Sequence, residues 1–147
     1  MAIIRMLLLC LLSTGSLFGV AGEITYPPDK VVYDFSSPDP TALGSLLDRV
    51  GELQKLYAND PFEASIIIVV HETALTLFAT EASRFQAELM QRAASLALGE
   101  IIQFRLCEMS ARMQGLEADG FPDFTQLVSM ADAEMVRLQQ AGYAYLR

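Results

Sequence analysis

The stretch FRLCEMS, residues 104–110, places a cysteine where an apolar, strand-like run gives way to a helix-like one. Cysteine reacts as its thiolate, a form favoured beside a helix N-terminus or a protonated histidine. Cys107 is predicted to open a helix. The sole histidine, His71, closes a second strand-like run, ASIIIVV. In open parallel α/β sheets, ligands sit beyond the carboxyl ends of the strands. If the two runs are neighbouring strands, about 5 Å apart, Cys107 and His71 share one rim. The chemistry they offer is a nucleophilic thiol with a histidine that orients or activates it. The same strand ends carry Asp34, Ser36, Glu72 and Glu108, the candidate binding residues of a crevice.

Each residue also has a plainer role. A cysteine at a strand end serves as a small buried apolar group. A histidine there serves as a hydrogen-bonded structural residue. A metal held by His71, Cys107 and a carboxylate matches no compact ligand spacing. The sequence lacks Gly-x-Ser-x-Gly, Gly-x-Gly-x-x-Gly and the P-loop pattern, which argues against a serine hydrolase and a nucleotide site. No cofactor and no metal are expected.

The elements that must position these residues follow from periodicity. KVVYDF, residues 30–35, is β-branched and aromatic and reads as a strand. Leu43, Leu46, Leu47, Val50, Leu53, Leu56 and Tyr57 recur at helical spacing, and Asn59-Asp60-Pro61 stops that helix. Residues 64–70 form an unbroken apolar run suited to a strand covered on both faces. A short helix over 74–80 and a longer one over 81–98 follow, with Gly99 as the stop. Residues 100–106 read as a third strand and Met109, Met113 and Leu116 as a short helix. Residues 117–123 read as a loop, 124–128 as a fourth strand, 131–141 as a helix stopped by Gly142, and 143–146 as a final strand. Alternating strands and helices predict a three-layer α/β/α fold with a mostly parallel, about five-stranded sheet and right-handed crossovers.

The N-terminus reads as a cleavable signal peptide over residues 1–21. Arg5 precedes a short apolar core at 6–12, and Gly19-Val20-Ala21 supplies the small residues of a cleavage site. Cleavage after Ala21 leaves 126 of the 147 residues: an extended arm over 22–29 and one domain over 30–147. It also removes Arg5 and Cys10, taking the net charge from −8 to −9 and leaving Cys107 without a cysteine partner. An internal disulfide is then excluded. The acidic balance argues against nucleic acid. The expected location is periplasmic or secreted, with no stable membrane insertion after cleavage.

Four segments carry a family resemblance: KVVYDF with a helix after it, IIIVVHE, IQFRLCEMS and the closing EMVRLQQAGYAYLR. With these the chain resembles the DsrE/DsrF-like family, in particular its exported members, over roughly residues 30–147. The resemblance implies an α/β/α fold with a parallel five-stranded sheet and a homo-oligomer, trimer or hexamer. In the better-understood relatives a cysteine carries sulfur as a persulfide, and Cys107 matches it. His71 matches a histidine common in the exported subgroup. Many relatives have glycine after that histidine, where this chain has Glu72. The implied function is a sulfur-handling protein, at most a sulfurtransferase-like carrier. It would exchange sulfane sulfur with a donor or acceptor protein or a small sulfur compound. Two alternatives remain: a non-catalytic oligomeric binding module with a structural cysteine, and a small-ligand or metal binder at the same rim.

Overall fold

The structure is a computed structural model that describes residues 24–57, 62–79 and 84–147. The expected signal peptide, the Asn59-Asp60-Pro61 stop and the expected start of the second long helix at 81 lie outside the described residues. The strands are β1 (Lys30–Phe35), β2 (Ser65–Val70), β3 (Ile102–Cys107), β4 (Thr125–Val128) and β5 (Ala144–Leu146). The helices are α1 (Pro40–Tyr57), α2 (Arg84–Ala97), α3 (Glu108–Met113) and α4 (Ala131–Gln140). The sheet runs β4-β3-β2-β1-β5. Every pairing in it is parallel, as the expected three-layer α/β architecture requires.

Strand β2 is central because its side chains suit no surface. Ile66 to Val70 are all fully buried, so both faces of the strand must be covered. Alternation then divides the core in two. On one face Val31, Tyr33, Phe35, Ile66, Ile68, Val70, Phe104 and Leu106 pack under α1 and α2. On the other, Val32, Ile67, Val69 and Cys107 pack under Ala131, Met135 and Leu138 of α4. The chain steps from β1 to β4 in one direction, then returns across the sheet to β5. Right-handed crossovers put the helix of a reversed step on the opposite face. Helix α4 therefore covers the second face, while Ala111 of α3 belongs to the first core. The loops after β3 and β4 thus diverge to opposite faces and leave a crevice between them.

Several elements differ from the sequence expectation. The short helix expected over 74–80 is a 3-10 segment, Glu72–Leu77. Thr76 Oγ1 donates to the Thr73 carbonyl at 2.8 Å, a local bond that competes with α-helical pairing. The turn after α2 places Glu100, not Gly99, in the left-handed region, at φ 61°. Strand β3 accordingly starts at Ile102 rather than 100 and takes in Cys107 as its last residue. Phe124 precedes β4 and meets Phe104 edge-on, with ring centroids 5.6 Å apart. Residues 118–120 of the expected loop form one 3-10 turn. Gly142 ends α4 at φ 90°, as expected of a left-handed stop. No helix among the described residues is long and apolar enough to cross a membrane.

An ion-pair network pins α4 to the sheet beside Cys107. Glu134 accepts from Arg105 of β3, and from Arg137 Nε and Nη2 at 2.9 and 2.7 Å. Hydrogen bonds from Arg137 lower the Glu134 pKa, burial opposes them, and Arg105 adds to the lowering. The result is about 2, against an ordinary 4.5. Since the folded pKa is depressed, the carboxylate stabilises the fold above pH 4.5 and loses that effect as pH falls towards 2. Glu134→Gln is expected to destabilise the protein at pH 7 by about 2 kcal/mol, between surface and fully buried pairs. The difference in melting temperature between the two proteins should close as pH is lowered through that window.

Candidate functional site

The functional rim forms where β1, β2 and β3 end. Asp34 sits opposite Val69, and Val69 opposite Arg105. Two residues further along, His71 follows β2 and Cys107 ends β3. With a side-chain period of two, Asp34, His71 and Cys107 fall on the α4 face. His71 Nε2 lies 2.6 Å from Asp34 Oδ1, and Tyr145 donates its hydroxyl to Asp34 Oδ2. Burial pushes the Asp34 carboxyl up. Hydrogen bonds from Tyr145 and His71, with the charges of His71 and Arg147, outweigh it and hold the group below its ordinary value. An ionised carboxylate only accepts hydrogen bonds. Nε2 therefore carries the proton, and in neutral imidazole Nδ1 carries the lone pair. Asp34 in turn pushes the Tyr145 phenol up.

Cys107 is 1% exposed. Its Sγ is the N-cap acceptor of α3, taking the Ser110 N–H at 3.4 Å. It also takes the Ala131 N–H of α4 at 3.4 Å. Met130, the N-cap residue of α4, supplies no side-chain cap, so the sulfur serves both helices. Cys107 lines a cavity of about 110 Å³ together with His71, Glu72, Met109, Ser110, Met130, Ala131 and Asp132.

The structure sorts the expected site residues. His71, Glu72 and Cys107 line this cavity; Asp34, Ser36 and Glu108 do not. Asp34 acts through His71. Ser36 lies half-buried in the loop after β1. Glu108 turns outward and pairs with Arg112 at 2.8 Å. Sequence reasoning missed Met109, Ser110, Met130, Ala131 and Asp132 as lining residues, and Tyr145 as a partner of Asp34. The loop after β4 must open at the same rim as those after β2 and β3, so strand polarity was the signal for residues 130–132. Ser110 falls within the short helix that Met109, Met113 and Leu116 mark, where spacing carries no site signal. It is 7% exposed, and its Oγ accepts the Glu72 N–H at 3.0 Å.

Glu72 itself is strained, with φ 50°, in the left-handed region that favours glycine. Ser110 holds its N–H, and Gln114 Nε2 donates to its carbonyl at 2.7 Å. The side chain is left 68% exposed. Among the described residues no group of three His, Cys, Asp or Glu side chains is placed to hold a metal ion.

Comparison with solved structures shows the same architecture elsewhere. MTH1491 of Methanobacterium thermoautotrophicum, a protein of unknown function, superposes with a TM-score of 0.68 at 22% identity, over 81% of this chain and 98% of that one. The ychN protein of E. coli superposes with a TM-score of 0.60 at 10% identity, over 80% and 96%. This chain has their fold. No protein-family model matches the sequence, and no curated protein matches it significantly. At these identities the likeness is one of fold alone.

The strain at Glu72 yields a direct test. Glu72→Gly removes the left-handed penalty of about 1 kcal/mol while keeping the N–H bonded to Ser110. The variant is expected to be about as stable as the parent or more stable in urea unfolding. A loss of more than ~1 kcal/mol would mean that the carboxylate stabilises the fold by more than its backbone strains it.

Proposed function

We propose that this chain is an exported sulfur carrier of the DsrE/DsrF-like family, in which Cys107 accepts a sulfane sulfur as a persulfide and passes it on. The observation that carries the proposal is the placing of the Cys107 sulfur. It lines a cavity together with His71, at the point where the β3 and β4 loops diverge, and it receives two main-chain N–H groups. Sulfur bearing negative charge, as thiolate or persulfide, accepts such hydrogen bonds more strongly than neutral thiol does. The Asp34–His71 pair adds a base of fixed tautomer in the wall of the cavity that the thiol lines.

The step balances without a further oxidant. His71 takes the Cys107 proton. The thiolate attacks the outer sulfur of a donor R–S–SH, a new S–S bond forms at Sγ, and the donor S–S bond breaks. RS⁻ leaves and takes up a proton as RSH. Release to an acceptor thiolate repeats the exchange in the opposite sense. Asp34 is a positioning residue in this scheme, since it acts through His71. The proposal includes a periplasmic or secreted location and a homo-oligomer, trimer or hexamer. These rest on the signal-like N-terminus and the family resemblance.

The depth of the thiol favours a second reading. At 1% exposure, and with its sulfur capping two helices, Cys107 also suits a structural role in a non-catalytic oligomeric binding module. The two readings separate in one experiment. The protein and its Cys107→Ser variant are incubated with a low-molecular-weight persulfide, and intact masses are measured. A carrier gains about one sulfur mass, reversed by reductant and absent in the variant. His71→Ala should load at least about tenfold more slowly while still loading. An unchanged mass in the parent protein would support the structural reading.

A further inference from the structure

The mouth of the Cys107 cavity carries two carboxylates with no lysine or arginine beside them among the described residues. Glu72 and Asp132 line it, and among the described residues no lysine or arginine does. Among the described residues neither carboxylate has a lysine or arginine partner within 4.0 Å. Other carboxylates near the rim are paired: Glu108 with Arg112, and Asp34 with His71. The basic group nearest Glu72 is His71, whose Nδ1 is 4.0 Å away. A glycine would adopt the Glu72 backbone without strain, yet the chain keeps a carboxylate there at φ 50°. The Glu72 N–H donates to Ser110 Oγ, its carbonyl accepts from Gln114, and the side chain is left 68% exposed, 4.0 Å from His71 Nδ1.

Size sets which part of a donor can enter. A cavity of about 110 Å³ admits the sulfur end of a persulfide. A bearer larger than the cavity stays outside, beside Glu72 and Asp132.

We infer that these two carboxylates select the sulfur donor by charge: the mouth takes persulfides borne beside positive charge and turns away anionic donors such as thiosulfate. This rests on the sulfur-carrier proposal for Cys107. In the favoured reaction the Cys107 thiolate attacks the outer sulfur of R–S–SH. The donor S–S bond breaks, and RSH leaves with the proton. Thiosulfate would react by the same attack and release sulfite, but the dianion must first approach two carboxylates on a chain of net charge −8. Such local fields change association rates by about tenfold to a thousandfold, and salt removes the effect.

The test uses two synthetic peptides of equal length, each with one cysteine persulfide, flanked by lysines in one and by glutamates in the other. Thiosulfate and cysteamine persulfide are run beside them. The rate at which the protein gains one sulfur mass at Cys107 is measured at low and high salt. The lysine-flanked peptide should load at least about tenfold faster than the glutamate-flanked one at low salt, and the two should converge at high salt. Asp132→Asn should narrow the ratio, and Asp132→Asn with Glu72→Gln should bring it close to one. Cysteamine persulfide loading as fast as the lysine-flanked peptide would support selection of a small cationic donor. Loading by that peptide alone would support a protein-borne donor. Equal peptide rates in the parent protein, or a faster glutamate-flanked peptide, would overturn the inference and leave sulfur carriage standing. No mass gain from any donor would overturn the carrier proposal and this inference with it.

Discussion

Two helix N-termini meet at one sulfur atom. The Ser110 and Ala131 N–H groups both point at Cys107 Sγ from 3.4 Å. The first turn of a helix leaves N–H groups that need acceptors, and in α4 the usual N-cap side chain is a methionine that cannot serve. The rim is built around that shared acceptor. Helix α4 can begin where it does because the sulfur is there, and Arg105 holds it in place through Glu134. Ser110, fixed by the same turn, then reaches across to Glu72 and sets the turn that follows His71. The cavity is the space left between these constraints.

Handedness explains why the constraint falls on β3. Steps β1 to β4 advance across the sheet, and only the return to β5 reverses. That reversal sends α4 to the face opposite α1 and α2. The β3 and β4 loops therefore part, and the crevice opens where Cys107 ends its strand. Further along the rim, β5 brings Tyr145 beside Asp34. The final strand thus takes part in orienting His71 from two strands away.

Much of this was legible in the sequence. KVVYDF and SIIIVV announce their strands through β-branched residues, and the leucine spacing of α1 fixes its buried face. Cys107 and His71 could be placed on one rim from strand ends alone. Alternation would also have put Asp34 on their face, but its part in fixing the His71 tautomer needs side-chain geometry. Strand polarity pointed residues 130–132 at this rim, but their place beside Cys107 depends on strand order and crossover direction, long-range properties that no local pattern encodes. Glu72 stands where many members of the family the sequence resembles have glycine. Its left-handed backbone supplies the physical meaning of that difference, and its exposed carboxylate supplies the consequence. The 3-10 segment after His71 looked helical because apolar spacing does not distinguish three residues per turn from 3.6 over two turns.

The thiol's burial and its proposed chemistry are compatible only if sulfur enters through the cavity between Met109 and Met130. A diffraction structure of crystals soaked in a small cationic persulfide tests this most directly. The account predicts one added sulfur bonded to Cys107 Sγ at about 2.05 Å, lying in the cavity on the His71 side, with the Ser110 and Ala131 N–H contacts retained. An unmodified Cys107 after the soak, with the cavity filled only by solvent, would contradict it and leave the sulfur as a cap for two helices.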